Sequence, residues 1–415
     1  MLCRGRRCLW GGVMLLCVGV RSPAVAADDI LQKNDRVVFI GNTFADQLRL
    51  NGYVESLLTV RRPKLNLTFR VLGWSGDTLT VRPRPLNFGS LDTHLTRLQA
   101  DVVVACFGMN ESYAGGQGLA GFEKNWNQFL DHLKTRTYNG RTPPRVVLVA
   151  PIAHEALAEQ YADAQTHNRK TTQYVAVMQK VAAQRNLPLL DLYAASNSLS
   201  AESGSQKLTR NGIHLNGYGY WALGKTMADA LTPVEGVWKV SVDTQANSAS
   251  GEGTRVSALK VEAARVAFTV TDERLPDPAP PLESIVHDSL ARKLPALVVR
   301  GLPAGTYALA INGTRVASAQ ADAWAQGVRL QQTPAHALSE AIREDINAKN
   351  AQFFYRWRAH NAEYVFGRRA KPFGVVSFPP EMQKFDEMID EKDKSIQRLN
   401  RPSKEQTWEL VPLTE

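Results

Sequence analysis

The sequence predicts an α/β fold: a three-layer, doubly wound (flavodoxin-like) sheet of five parallel strands, followed by a small β-rich accessory module and C-terminal helices. Three observations carry this. Between residues 35 and 231, short β-rich apolar runs alternate with longer amphipathic stretches, as when parallel strands are joined by helical crossovers. Beyond 231 the runs are all short and are broken by turn pairs such as Asn312-Gly313. Helical periodicity returns over 335–364 and again over 380–399, the second stretch charged and expected to be exposed.

Taken in order, residues 1–27 read as an export signal. Arg4, Arg6 and Arg7 precede the apolar run 9–20 and a small-residue site at Ala24-Val25-Ala26. The run is too short to span a bilayer, so the mature chain is expected to be exported, periplasmic or extracellular, without stable membrane insertion. The five strands fall at 37–40, 67–72, 102–107, 145–150 and 187–190, with helices at 44–59, 94–98, 118–136, 162–185 and 218–231. These place an α/β domain at 28–232, the β-rich module at 233–330 and a helical extension packing on both at 331–415.

Composition narrows the function. The formal charge of +9 includes four arginines of the signal, so +5 remains on the mature chain, and no long basic run is present. Nucleic acid is not an expected partner. Cys3, Cys8 and Cys17 leave with the signal, and Cys106 sits in the apolar run 102–107 as a buried small hydrophobe. The histidines show no paired ligand spacing, so neither a metal nor a cofactor is expected.

Polar residues gather where the strands end, which is where a doubly wound sheet places its ligands. The first strand runs into Gly41-Asn42-Thr43, the second into Gly73-Trp74-Ser75-Gly76-Asp77, and the third into Gly108-Met109-Asn110-Glu111. Ahead of the last helix stands Asn211-Gly212-Ile213-His214. His154 follows the fourth strand and could line the same mouth. Thr43 alone reads as a turn or a helix cap. Four such ends converging on one sheet edge make a site the better reading.

In these residues the chain resembles the SGNH (GDSL-type) hydrolase superfamily over roughly 36–231. The family's Gly-Asp-Ser block is matched by Gly41-Asn42-Thr43, its second-block glycine by Gly76, its Gly-x-Asn-Asp by Gly108-Met109-Asn110-Glu111, and its Asp-x-x-His by Asn211-Gly212-Ile213-His214. The resemblance implies Thr43 as nucleophile, His214 as base and Asn211 as the residue orienting its ring. It also implies an oxyanion hole from Thr43, Gly76 and Asn110. Because Thr43 and Asn211 replace Ser and Asp, Asp77, Glu111 and Asp191 are candidate substitute carboxylates. The implied function is an exported esterase or deacylase of weakened activity, acting on a small-molecule or glycan ester such as an O-acetylated carbohydrate. The alternative is an inactive relative that binds a carbohydrate or acyl group. In the stretch 352–364, the aromatic residues are expected to be core, and Arg356, Arg358, Asn361 and Tyr364 are alternative pocket walls.

Overall fold

The computed structural model describes residues 30–85, 88–157, 163–202, 206–234, 238–282, 284–358, 378–402 and 405–413. The expected export signal lies outside them, as do Asn361 and Tyr364. The first domain is a five-stranded, all-parallel sheet in the order β2-β1-β3-β4-β5. Its strands are β1 (Arg36–Gly41), β2 (Thr68–Gly73), β3 (Val102–Cys106), β4 (Arg145–Val149) and β5 (Leu189–Leu190). The central strands read as unbroken apolar runs because both faces are covered. Side chains alternate between those faces. Val37, Phe39, Val102, Val104, Val147 and Val149 pack on one side with Leu57, Trp221 and Met227. Val38, Ile40, Val103, Ala105 and Leu148 pack on the other with Phe122, Trp126 and Met178.

The covering helices are α1 (Thr43–Asn51), α2 (Tyr53–Arg61), α3 (Leu91–Leu98), α4 (Leu119–Lys134), α5 (Ala164–Arg185), α6 (Leu192–Ser200) and α7 (Gly217–Leu231). The single helix expected over 44–59 is two helices. Gly52 takes a left-handed φ of 65°, donates its N–H to Leu48 O and ends α1. A side chain at Gly52 would also strike Asn347, its Cβ coming within 2.6 Å of Oδ1. Helix α6 was not expected from the sequence; it starts on Asp191, whose carboxylate accepts the Ala194 N–H at 2.9 Å.

The β-rich module is two packed sheets. One is mixed, in the order β13-β10-β6-β7, built from β6 (Lys239–Asp243), β7 (Ser248–Glu252), β10 (Ala296–Arg300) and β13 (Val328–Arg329). The other is antiparallel, in the order β12-β11-β14-β9-β8, built from β8 (Arg255–Glu262), β9 (Arg265–Thr271), β11 (Thr306–Ile311), β12 (Thr314–Gln320) and β14 (Gln406–Pro412). Of two short helices, α9 (Ala321–Gln326) packs on the mixed sheet, whereas Leu290 of α8 (Asp288–Ala291) joins the core of the first domain. Val240, Val242, Leu297, Phe268, Leu309, Trp324, Trp408 and Leu410 share the core between the sheets. Strand β14 comes from the stretch expected to be purely helical, and it fills the gap between β11 and β9.

Helices α10 (Pro334–Trp357) and α11 (Phe378–Leu399) pack on each other and against the first domain. Lys349 of α10 is wholly buried, pairs with Glu55 of α2 and also donates to Phe69 O at 3.2 Å. Arg70 of β2 pairs with Asp393 of α11 at 2.6 Å. Phe353 and Trp357 join the core beneath the sheet, as expected of that aromatic stretch, whereas Tyr355 is exposed. Arg356 pairs with Asp386 on α11. Arg358 holds Asp46 at 2.8 Å and Gly73 O at 2.6 Å, tying the end of α10 to α1 and to the end of β2. Among the described residues no helix is long and apolar enough to cross a membrane.

Candidate active site

Strand β1 must turn sharply at its carboxyl end, because β3 runs immediately beside it. Gly41 adopts φ of 133°, and a Cβ there would lie 2.1 Å from Cys106 O, so only glycine fits. Asn42 then caps α1, its Oδ1 accepting the Phe44 N–H at 3.0 Å. Thr43 is thereby fixed as the first residue of α1, at the helix end where N–H groups lack intrahelical partners. The cap belongs to Asn42, which leaves the Thr43 hydroxyl free to face a cavity.

That cavity measures about 40 Å3, and Thr43, Asn110 and His214 all line it. Phe44, Met109, Ile152 and Ile213 supply its apolar walls. Three of the strand-end blocks therefore meet in one place. Gly76, by contrast, is exposed in the loop after β2 and does not line this cavity. His154 does not line it either: its ring is buried and its Nδ1 sits 3.2 Å from Nδ1 of His167. No hydrogen bond joins Thr43 to His214 among the described residues.

Each substitute carboxylate is engaged elsewhere. Asp77 is buried and takes two bonds from Arg84, at 2.8 and 2.5 Å. Burial pushes its carboxyl up, and Arg84 offsets part of that rise. Glu111 accepts the Gly108 N–H at 2.9 Å and the Leu79 N–H at 3.0 Å, clamping the loops after β2 and β3 together. Asp191 caps α6 and accepts Gln179 Nε2 at 3.0 Å. None of the three hydrogen-bonds to His214, so the ring is not rewired to a new acid.

The ring's partner is Asn211, and its direction is the decisive feature. Asn211 Oδ1 accepts the backbone N–H of His214 at 3.0 Å and that of Ile213 at 3.4 Å. Turning the amide over would point an NH2 group at two N–H donors, so these contacts pin the oxygen there. The amide nitrogen must then face the ring, and Nδ2 donates to His214 Nδ1 at 2.9 Å. An accepting Nδ1 leaves the proton of neutral imidazole on Nε2, the nitrogen a base would need bare. Burial and the charge of Arg210 hold the His214 pKa below its ordinary value, so the ring is neutral near pH 7.

Asn110 is positioned from behind: its Nδ2 donates to Asp77 O at 2.9 Å and keeps a second hydrogen available. The loop bearing His214 is positioned by Glu155, which was not singled out from the sequence. Its buried carboxylate accepts from Leu208 N at 3.2 Å, Thr209 N at 2.9 Å and Thr209 Oγ1 at 2.5 Å, while Glu155 N donates to Gly212 O at 2.8 Å. The sequence signal was a glutamate beside His154, in the loop that follows β4. Replacing Glu155 with Gln turns one acceptor into a donor aimed at N–H groups. Glu155→Gln is expected to lower stability by about 2–4 kcal/mol, read from urea unfolding with the m-value unchanged.

Residues 40–222 match the model of the GDSL-like lipase/acylhydrolase family. The α/β domain of this chain belongs to the SGNH (GDSL-type) hydrolase superfamily. Among solved structures, a gut microbial diltiazem-metabolizing enzyme is similar over 92% of this chain and 98% of its own, at 18% identity and a TM-score of 0.69. That span takes in both the SGNH domain and the module and helices after it, so the whole architecture is shared. Axe2, an acetylxylan esterase from Geobacillus stearothermophilus, aligns with 49% of this chain and 96% of its own at 17% identity and a TM-score of 0.38. An α/β hydrolase from the metagenome of Lake Arreo, Spain, aligns with 49% and 98% at the same identity and TM-score. No curated protein gives a significant sequence match.

Proposed function

We propose that this chain hydrolyses small carboxylic esters, with an acetyl-sized acyl group carried by an alcohol such as a carbohydrate hydroxyl, at low turnover. The observation that carries the reading is the convergence of Thr43, Asn110 and His214 on one 40 Å3 cavity, room for about three water-sized atoms. An acetyl group, with three heavy atoms beyond the ester oxygen, matches that size. Residues 1–27 support export, with action in the periplasm or outside the cell.

In this scheme Thr43 Oγ1 attacks the carbonyl carbon as its proton passes to His214 Nε2. The developing oxyanion is met by the remaining Asn110 N–H and the Thr43 backbone N–H. The imidazolium returns the proton to the departing alkoxide, and water then cleaves the acyl-threonine by the same route. The slow step is set by Asn211: Nε2 accepts a proton only after the ring has exchanged tautomers, which breaks the Asn211 bond to Nδ1. That same bond favours a second reading, in which Thr43, Asn110 and His214 Nε2–H hold a carbonyl oxygen without turnover.

Hydrolysis of p-nitrophenyl acetate separates the two. The wild-type chain is expected to exceed Thr43→Ala and His214→Ala by at least about tenfold, less than the about 10²–10⁴-fold typical of acid–base catalysis because Asn211 slows the base. Equal rates in all three proteins leave the binding reading in place.

A further inference from the structure

Beyond the third turn of α7, on the far side from His214, a second cavity of about 230 Å3 opens where α2, α7, the loop 272–279, α10 and β14 meet. Four cations border it, Arg61, Lys225, Arg274 and Lys293, against the carboxylates of Asp229, Asp272 and Asp277. Three of those cations are closely paired. Arg61 donates to Asp277 at 2.9 and 2.6 Å and to Asp229 at 2.8 Å. Lys225 reaches Asp277 at 2.7 Å, and Lys293 reaches Asp229 at 2.8 Å. Asp272 is taken by Trp238 Nε1 at 2.7 Å and Gln406 Nε2 at 3.1 Å.

Arg274 differs. Its nearest carboxylate oxygen, on Asp277, is 3.7 Å away, and its contact with Leu275 O is 3.5 Å long. Both exceed the range of a good N–H···O bond. Asp277 is shared, and Arg61 and Lys225 stand about 1 Å closer to it than Arg274 does. Burial alone would push the Asp277 carboxyl up, yet Lys225, Arg61 and Arg274 outweigh it and hold it far below the carboxylate range. The cluster carries one more positive than negative charge, and the surplus resides on Arg274. Burial also draws the Arg274 guanidinium below its ordinary pKa, the mark of a cation short of partners.

A second, independent feature lies on the same wall. Trp408 is 2% exposed, lines the cavity, and its Nε1–H has no acceptor among the described residues. Buried indole N–H groups normally find a partner. Trp408 also stacks on Trp238, with centroids 5.6 Å apart and planes 29° from parallel, giving the cavity a broad aromatic side. Leu275, Leu294 and Leu330 complete an apolar lining.

We infer that this cavity binds a small carboxylate carried on a ring, with the anion on Arg274 and the ring against the tryptophan wall. A neutral ring lacks the group that Arg274 would pair with, and an acyclic acid leaves the apolar wall uncovered. Aromatic acids and sugar acids share the required chemistry. The site is separate from the Thr43 cavity, so it stands or falls independently of ester turnover.

Isothermal titration calorimetry on the full chain tests it, with benzoate and glucuronate as the ring acids, benzamide as the neutral ring and acetate as the acyclic acid. One benzoate or glucuronate per chain is expected, with benzamide and acetate at least about tenfold weaker, the size of one charge-assisted hydrogen bond. Which ring acid binds more tightly assigns the source. Arg274→Gln is expected to weaken the ring acid at least about tenfold, Trp408→Phe to weaken it by less, and His214→Ala to leave it unchanged. The inference is overturned if neither ring acid binds, if benzamide binds as tightly as benzoate, or if a folded Arg274→Gln binds like wild type. The benzoate–benzamide comparison needs no variant, so instability of Arg274→Gln cannot shelter the idea.

Discussion

Asn211→Asp is expected to raise kcat/KM for a short-chain aryl ester by about 10²–10⁴-fold. The upper bound is the loss seen when the opposite change is made in a serine-protease triad. The structure gives the reason in hydrogen bonds. A carboxylate at 211 keeps the two backbone contacts that now fix the amide oxygen, from His214 N and Ile213 N. Its second oxygen then replaces the amide nitrogen opposite His214 Nδ1. An acceptor there requires Nδ1 to carry the proton, which bares Nε2 toward the cavity. The new negative charge also favours the imidazolium, so the His214 pKa rises from its present depressed position. A base must be deprotonated to act, so the acid limb of the pH–rate profile is expected to move to higher pH in the variant. A folded Asn211→Asp protein with no gain in rate would show that Thr43, and not the ring, limits the chemistry.

Lys349→Met is expected to cost about 3–5 kcal/mol of folding stability, measured by denaturant unfolding at pH 7. The ammonium is wholly buried between α10 and the first domain, and its removal strands the Glu55 carboxylate, which keeps only Asn350 Nδ2 at 3.3 Å. Burial already pushes the Glu55 carboxyl up, with Lys349 opposing it. In the variant that opposition is gone, and the folded-state pKa climbs further above the unfolded one. The unfolded chain then binds fewer protons than the folded chain above about pH 4.5, so the deficit grows as pH rises and shrinks in acid. Adding Glu55→Leu is expected to recover most of the loss, since removing both charges leaves nothing unpaired. A single-variant loss below about 1 kcal/mol would mean that water reaches the pair.

The first sheet was legible because burial on both faces writes β1, β3 and β4 as continuous apolar runs. Where the prediction departed, a local contact decided. Gly52 splits α1 from α2 through a left-handed backbone, and α6 follows so closely on the two-residue β5 that no gap marks it. Strand β7 reads Ser-Ala-Ser-Gly-Glu and β12 is mostly polar, so neither shows an apolar run of its own. At the site, the positions of Thr43, Asn110 and His214 followed from where strands end. The failure of Asp77, Glu111 and Asp191 to reach the ring did not, because each is satisfied by donors distant or unremarked in sequence: Arg84, Leu79 N, Gln179. The orientation of Asn211 depends on two N–H groups two and three positions ahead, a turn contact that residue types alone do not disclose.

Strand β14 has a consequence for how the chain matures. The antiparallel sheet has no direct pairing between β9 and β11; each pairs instead with β14, whose side-chain and turn contacts reach back 134 and 95 positions, to Asp272 and Asn312. Its centre stays open until a segment beyond both long helices arrives. Closure across such loops is entropically expensive and slow, and the waiting edges of β9 and β11 are templates for the wrong partner. The helices α10 and α11, anchored on the first domain by Lys349 and Arg70, shorten that search by delivering β14 from a fixed point. The SGNH domain thus serves as a folding platform for the module attached to it.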